Sequence, residues 1–198
     1  MKTSFLLIML AAAVTFSAPL QAQVRINPKV GVNISALDTK IQDITAEARA
    51  GWNVGVDVRA GKGLVFFNPG VHYYSFTARL VSDVVDEGQQ LKPSEETMIQ
   101  SVRVPVNLGI NITGQGGLIG LHLKGGVTPA YVIGVKERPN YNFDIETLNR
   151  FTMGANVGLG VDILFFTVDA NYEIGLNEFF KDAAGKNNML SLNVGIKF

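Results

Sequence analysis

The feature that most constrains this chain is a regular alternation of apolar and polar residues, which recurs from Val24 to the last residue. It is clearest in the closing segment "NMLSLNVGIKF", residues 188–198. The apolar positions of that segment are Leu190, Leu192, Val194, Ile196 and Phe198. A period of two is typical of β-strands with one apolar and one polar face, because successive side chains point to opposite sides.

Seven earlier segments alternate in the same way, so the sequence predicts eight strands in all. They lie around residues 29–36, 51–59, 65–73, 102–113, 119–133, 152–163 and 166–177. A strand needs about 9 to 11 residues to cross a bilayer at a tilt near 45°, and most of these segments reach about ten. An even strand number with an apolar outside is typical of outer-membrane barrels. The predicted fold is therefore all-β, an eight-stranded antiparallel up-and-down transmembrane β-barrel.

The connections between the predicted strands alternate between short and long. The short connections are residues 60–63, 113–117 and 164–165. The long connections are residues 38–49, 81–97, 136–149 and 178–188. Outer-membrane barrels show this asymmetry, with short turns in the periplasm and long loops outside the cell.

The first 22 residues have the layout of a secretory signal peptide. Lys2 supplies a positive start, and an apolar stretch of about a dozen residues follows before small residues and Pro19. That stretch is shorter than the roughly 18 to 20 residues of a spanning helix, which is the alternative interpretation. We therefore expect cleavage after Ala22, with residues 1–22 as the signal peptide and residues 23–198 as the barrel domain.

Composition excludes several classes of function. The formal net charge is +0 and the sequence has no run of basic residues, which argues against a nucleic-acid partner. The chain has 0 cysteines, so disulfides, thiolate nucleophiles and cysteine-based metal sites are excluded. Gly-rich stretches such as "TGQGG" do not lie between a strand and a helix, as a phosphate-binding loop would.

Aromatic residues are expected to form two girdles, one at each end of the barrel. The set at the short-turn end is Phe66, Phe67, Phe165, Phe166 and Phe198. The set at the long-loop end is Trp52, Tyr73, Tyr74, Tyr131 and Phe151. The alternative is that they belong to a soluble core. Phe198 is further expected to close the last strand against the first and to act as a C-terminal assembly signal.

Six segments, taken in order, resemble a known family. They are "PKVGVNIS" (28–35), "FFNPGVHYYSF" (66–76), "VRVPVNLGI" (102–110), "GGVTPAYVIG" (125–134), "GANVGLGVDI" (154–163) and "LNVGIKF" (192–198). Together they resemble the outer-membrane β-barrel domain family common in Bacteroidetes, whose proteins are often labelled PorT-like. The resemblance implies an outer-membrane location and an eight-stranded barrel, but no single activity. Gly70, Arg103 and Val104 stand where members usually carry acidic residues.

Most of the charged residues of the barrel lie at the strand positions whose side chains are predicted to point inward. This predicted lumen ionic network consists of Lys29, Asp57, Arg59, Arg103, Lys124, Asp162, Asp169, Glu173 and Lys197. An eight-stranded barrel leaves room only for side chains, and buried charges survive when they are paired. We therefore expect a plugged lumen with ion pairs. The alternative is a narrow ion-conducting pore lined by the same groups.

No catalytic, metal or cofactor site is predicted. His72 and His122 have the inward parity and could bind a metal or act as a base, but their strands are not neighbours in a meander. We expect both to be hydrogen-bonded in the lumen. The second long loop carries Asp83, Asp86, Glu87, Glu95 and Glu96, without the spacing of a calcium loop. A solvated loop is the main interpretation, and loose divalent binding near lipopolysaccharide is the alternative.

These observations predict a non-enzymatic integral outer-membrane protein whose role lies in its long extracellular loops. Surface interaction, envelope integrity and docking of a secretion partner all fit that role. The expected partners are outer-membrane lipid and lipopolysaccharide, the barrel-assembly machinery and a secretion or envelope protein. One alternative is a small pore or transporter of the outer membrane. Another is a soluble, lipocalin-like binder of a hydrophobic ligand, in which the apolar parity would point inward.

Overall fold

A computed structural model of the protein describes residues 23–39, 44–47, 49–82, 97–113, 118–136, 149–179 and 185–198. Ten strands lie in these residues, and they are all antiparallel to their neighbours. They are β1 (Val24–Thr39), β2 (Ile44–Glu47), β3 (Arg49–Ala60), β4 (Val65–Ser82), β5 (Thr97–Arg103), β6 (Val106–Asn111), β7 (Ile119–Lys136), β8 (Phe151–Ile163), β9 (Phe166–Gly175) and β10 (Gly185–Ile196).

These strands close into a barrel of eight positions. Each position pairs with the next along the chain, and β10 pairs with β1 to complete the ring. The segments β5 and β6 together fill one position between β4 and β7. The short β2 precedes β3 and pairs with the last residues of β4. The predicted all-β, eight-stranded antiparallel barrel is therefore confirmed.

Among the side chains that the structure describes, polar ones point mainly into the barrel and apolar ones mainly outward. Val104 and Leu159 are 37% and 47% exposed, whereas Asp57 and Arg103 retain only 4% and 3% exposure. A soluble protein buries its apolar side chains, so this arrangement is inverted with respect to water. It excludes the soluble lipocalin-like alternative, which requires the apolar side chains to surround the barrel axis.

Three prolines gather where the hydrogen-bond ladder is interrupted. Pro105 lies in the break between β5 and β6, and its carbonyl accepts a 2.9 Å hydrogen bond from Gly70 N–H. Pro129 lies within β7, and its carbonyl accepts from Val104 N–H at the same break. Pro69 lies within β4 and pairs with the first residue of β6. A residue without an N–H is tolerated best beside such a break. Pro105 thus lies between two strands, whereas Pro69 and Pro129 lie inside strands.

Consecutive aromatic residues correct the predicted girdles. Phe66 and Tyr74 both point into the lumen, whereas their neighbours Phe67 and Tyr73 have the outward parity. Only one of two successive residues inside a strand can face outward, so each of these two pairs within β4 gives one ring to the girdle. The remaining predicted aromatic residues are exposed on the outer surface: Trp52, Tyr131, Phe151, Phe165, Phe166 and Phe198.

The two ends of the barrel differ as the connection lengths predict. The turns at residues 61–64 and 164–165 are short. At the other end, several strands run on well past the length that crosses a bilayer, and both β4 and β7 have 18 residues. The predicted signal peptide and the acidic residues of the second long loop lie outside the described residues. The described part of the chain contains no helix with the length and hydropathy that a membrane-spanning helix requires.

Candidate functional site

The lumen nearest the short turns contains a first cluster of charged side chains, the lower layer. Arg59 Nη1 lies 2.7 Å from Asp162 Oδ2, and Lys197 Nζ lies 3.1 Å from the same oxygen. The Thr167 hydroxyl donates to the other oxygen of Asp162. Arg59 Nη2 lies 3.0 Å from His122 Nε2. One carboxylate therefore holds two cations and a hydroxyl, and this satisfies its acceptor capacity.

A second cluster, the central layer, lies one step further along the axis. Lys29 Nζ lies 2.5 Å from Asp57 and 2.6 Å from Asp169. Lys124 Nζ lies 3.0 Å from Asp169 and 3.9 Å from Asp57. His72 Nε2 lies 2.7 Å from Asp57. Two lysines thus alternate with two aspartates, so each charge faces its opposite and the cluster is balanced in a site of low dielectric.

His122 joins the lower layer to the central layer. Its Nε2 atom lies 3.1 Å from Asp169 of the central layer, and its Nδ1 atom lies 3.7 Å from Asp162 of the lower layer. The ring of Phe66 packs edge-on against it, with the centroids 5.7 Å apart, and the Arg59 guanidinium lies over the Phe66 ring, 4.6 Å from its centroid. The two layers therefore form one connected network.

The next cluster along the axis, the upper layer, is built around one ion pair. The Arg103 guanidinium contacts the Glu173 carboxylate, and the pair is largely buried. Arg103 also lies 5.1 Å from the ring centroid of Tyr74 and 5.9 Å from that of Phe76. Aromatic faces are attractive neighbours for a guanidinium, so they add to the stabilisation of this buried cation.

Beyond the upper layer a group of apolar side chains fills part of the lumen, beside buried polar residues such as Ser35 and Asn187. The buried residues of this apolar cap are Phe76, Ile99, Val132, Phe179 and Met189. Phe179 follows β9 and is only 2% exposed, and its ring lies 6.4 Å from the ring of Phe76. Its carbonyl accepts a 2.9 Å hydrogen bond from Asn149 N–H, which ties together two of the long connections. The cap therefore covers the ionic layers on the long-loop side.

A small chamber lies between the central and upper layers. It has a volume of about 40 Å³, and its lining includes Lys29, Asp57, His72, Arg103 and Glu173. This is room for about three water molecules. A second cavity of about 10 Å³ lies between the Arg103–Glu173 pair and Phe179. The upper layer therefore separates two narrow spaces.

Glycines on the lumen face make room for the larger side chains. A Cβ atom added at Gly109 would lie 2.1 Å from the Phe66 ring, and one at Gly160 would lie 2.1 Å from His122 Nε2. No side chain fits at those distances. The scattered glycines of the sequence thus allow the lumen to be filled, because the space beside each of these two is occupied by a large side chain of a neighbouring strand.

The structure places all nine residues of the predicted lumen network on the inner face. Seven of them form the lower and central layers, and Arg103 with Glu173 forms the upper layer. Both histidines join the network through aspartates that the prediction had already placed in the lumen. Among the described residues, no group of three or more His, Asp or Glu side chains is arranged to hold a metal ion.

Sequence reasoning did not assign the apolar cap or the aromatic and hydroxyl partners of the network. The lumen residues that it missed or misplaced are Phe66, Tyr74, Phe76, Ile99, Val132 and Thr167. The strand alternation predicts several of them, because Phe66, Tyr74 and Phe76 are each an even number of residues from His72 on one strand and so point to the same side.

Comparisons with known proteins agree on the architecture. A family described as "Outer membrane protein beta-barrel domain" matches residues 17–181. None of the curated proteins matches this chain significantly. The outer membrane enzyme PagL is similar in structure, with a TM-score of 0.54 and 12% identity over 85% of this chain and 98% of PagL. Neisserial surface protein A is similar at a TM-score of 0.49 and 14% identity, over 87% of this chain and 97% of that protein. At 12% identity, the likeness to PagL shows a shared fold alone.

Proposed function

This chain belongs to the outer membrane protein beta-barrel domain family, and from that premise we propose that it is a non-catalytic barrel acting through its long extracellular loops. Within the family we further propose that it is PorT-like, on the six segments that carry that resemblance. Its role would be surface interaction, envelope integrity or the docking of a secretion partner. Lipid, lipopolysaccharide and an envelope protein are the partners that this role requires.

The observation that carries this proposal is the filled lumen. Three ionic layers and the apolar cap occupy the axis in succession, and the chamber between the central and upper layers has a volume of only about 40 Å³. A hydrated ion that entered would have to break buried pairs such as Lys29–Asp169 and then cross Phe76 and Phe179. Both steps are costly, because separating a buried pair leaves uncompensated charge and an apolar layer does not solvate an ion.

The partners of the two histidines favour a structural role over catalysis. His72 is bonded to Asp57, and His122 lies between Arg59 and Asp169. In the part of the chain that the structure describes, no serine or threonine hydroxyl is bonded to either ring. A nucleophile would need a base within about 3.2 Å, so the pairs support a scaffold function for both residues.

The long-loop end offers a rigid base for an interaction surface. The strand β4 has 18 residues and pairs with β2 near its end, beyond what about 9 to 11 residues need to cross the bilayer. The strand β7, which pairs with β5 and β6, is equally long. Main-chain pairing outside the membrane fixes the strand ends from which the long connections leave, as a rigid scaffold for binding loops requires.

Membrane insertion is tested by fractionation and gel mobility. The protein should stay in the membrane pellet after carbonate extraction and should migrate faster in an unboiled sample than in a boiled one. N-terminal sequencing of the exported protein should begin at Gln23. A carbonate-soluble protein with equal mobility before and after boiling would overturn the proposal.

Conductance separates the loop-based role from the pore alternative. Purified protein in a planar bilayer should give no discrete channel steps, because the layers block the axis. Replacing residues 83–96 by a short Gly-Ser linker should leave the heat-dependent mobility unchanged. The linker variant should fail to complement the envelope defect of a strain that lacks the gene. Steady channel openings in the wild type, or full complementation by the linker variant, would contradict this role.

A further inference from the structure

The short-turn end of the barrel carries an excess of positive charge. Its charged side chains within the described residues are Arg25, Arg59, Lys62, Lys197 and Asp162. The one carboxylate among them already contacts Arg59 and Lys197. The turns at residues 60–64, 112–118 and 164–165 contain no acidic residue, and most of the 17 acidic residues lie in the four long connections. An anionic partner is therefore favoured at this end.

A hollow lies across the rim at the same end, where β10 meets β1. This periplasmic hollow is open, has a volume of about 370 Å³ and is lined by Gln23, Val24, Arg25, Leu164, Phe165, Lys197 and Phe198. Backbone hydrogen bonds fix its shape. Phe198 N–H donates to Ile26 C=O at 2.9 Å, and Lys197 N–H donates to Phe165 C=O at 2.7 Å.

The two walls of the periplasmic hollow have different chemistry. Val24 and Arg25 are consecutive, as are Lys197 and Phe198, so each pair sends one side chain outward and one inward. The outer wall is apolar, with Phe165 52% exposed and Phe198 75% exposed. The inner wall carries the two cations. Arg25 donates to Gln23 Oε1 at 2.9 Å, and among the described residues it forms no ion pair with a carboxylate.

We propose that the periplasmic hollow binds the phosphate group of an anionic phospholipid from the periplasmic leaflet. The phosphate meets Arg25 and Lys197, and the acyl chains lie along Phe165 and Phe198. A ligand with charge and apolar chains side by side matches both walls, whereas a free phosphate or an acidic protein would use only the inner wall. The inference goes beyond the loop-based role and depends only on the outer-membrane orientation, with the short turns in the periplasm.

The test measures which lipid stays bound to the full chain. The protein is reconstituted in nanodiscs with equal amounts of phosphatidylglycerol and phosphatidylcholine of the same acyl chains, and native mass spectrometry counts the lipids that remain after mild detergent. We expect phosphatidylglycerol to be enriched. Arg25→Gln should reduce the enrichment about fivefold and Arg25→Gln with Lys197→Gln about thirtyfold, at about 1 kcal/mol for each cation.

Arg150→Gln is the matched control, because Arg150 is exposed at the long-loop end and should leave the enrichment unchanged. Heat-dependent gel mobility verifies that each variant is folded, and Arg25→Gln alone keeps the test valid if loss of Lys197 disturbs Asp162. Equal retention of both lipids, or full enrichment in the double variant, would overturn the inference. So would displacement of phosphatidylglycerol by inorganic phosphate or by poly-glutamate. Failure of membrane insertion itself would instead be seen as carbonate solubility.

Discussion

The lumen has two halves that are filled in opposite ways. Towards the short turns, ion pairs such as Lys29–Asp169 occupy the axis, whereas towards the long loops the apolar residues Phe76 and Phe179 do so. The ionic half is held by directional contacts between strands that are distant in sequence. The apolar half is held by packing and includes a residue of a long connection. The difference indicates that the ionic half fixes which strands meet. The apolar half excludes water from the long-loop end of the lumen.

The largest effect is expected from breaking the ionic half at its centre. Asp169 is 0% exposed and contacts Lys29, Lys124 and His122. Asp169→Ala leaves two buried lysines facing the single carboxylate of Asp57 and should lower the free energy of unfolding by about 3 to 5 kcal/mol. Urea titration in lipid vesicles, followed by heat-dependent gel mobility, measures the loss. Val168→Ala, on the lipid face of the same strand, is the control and should cost far less; equal losses would show that the ionic layer does not dominate.

Truncation of the apolar half should cost somewhat less. Phe76→Ala removes a ring that packs against Phe179, and we expect a loss of about 3 kcal/mol in the same titration. Phe67→Ala, on the lipid face of the same strand, should show a smaller loss. The variant should also stay closed in a planar bilayer, because the ionic layers still fill the axis. Channel openings in Phe76→Ala would assign closure of the lumen to the cap alone.

The boundary between the two halves should show an intermediate effect. Glu173→Gln keeps the shape of the side chain but removes the charge that faces Arg103. Because this pair is less buried than the central layer, we expect a loss of about 1 to 2 kcal/mol. Glu178→Gln, which changes an exposed residue just after β9, should stay within about 0.5 kcal/mol. A loss at Glu173 as large as that at Asp169 would remove the distinction between the layers.

Salt should have the smallest effect on the ionic half. Raising the ionic strength from about 0.1 M to 1 M shortens the screening length from about 10 Å to 3 Å. Buried pairs such as Lys29–Asp57 are shielded from these ions, so the unfolding free energy of the wild type should change by less than about 0.5 kcal/mol. The same urea titration at both salt concentrations measures this. A loss of several kcal/mol would mean that the lumen is open to electrolyte.

Pattern reading predicted the membership of the ionic half but not its contacts. Parity alone places a side chain such as Asp57 or Asp162 inside or outside the barrel, because the strand has a period of two. It does not say how high along the axis that side chain lies. Lys29 meets Asp169 across a separation of 140 residues, and the register of every intervening strand pair decides that contact. Phe179 of the apolar cap was missed because it lies in a connection, where no strand alternation predicts the direction of a side chain.

The sequence by itself determined that this chain forms strands for eight positions, each with one apolar and one polar face. These properties follow from local alternation, which any strand must display if one face meets lipid and the other a packed interior. Only the tertiary structure decided which cation meets which carboxylate, that Phe66 rather than Phe67 enters the lumen, and where a chamber remains. The physical reason is that strand register and barrel closure are collective quantities, set by all the pairings together and by no single segment.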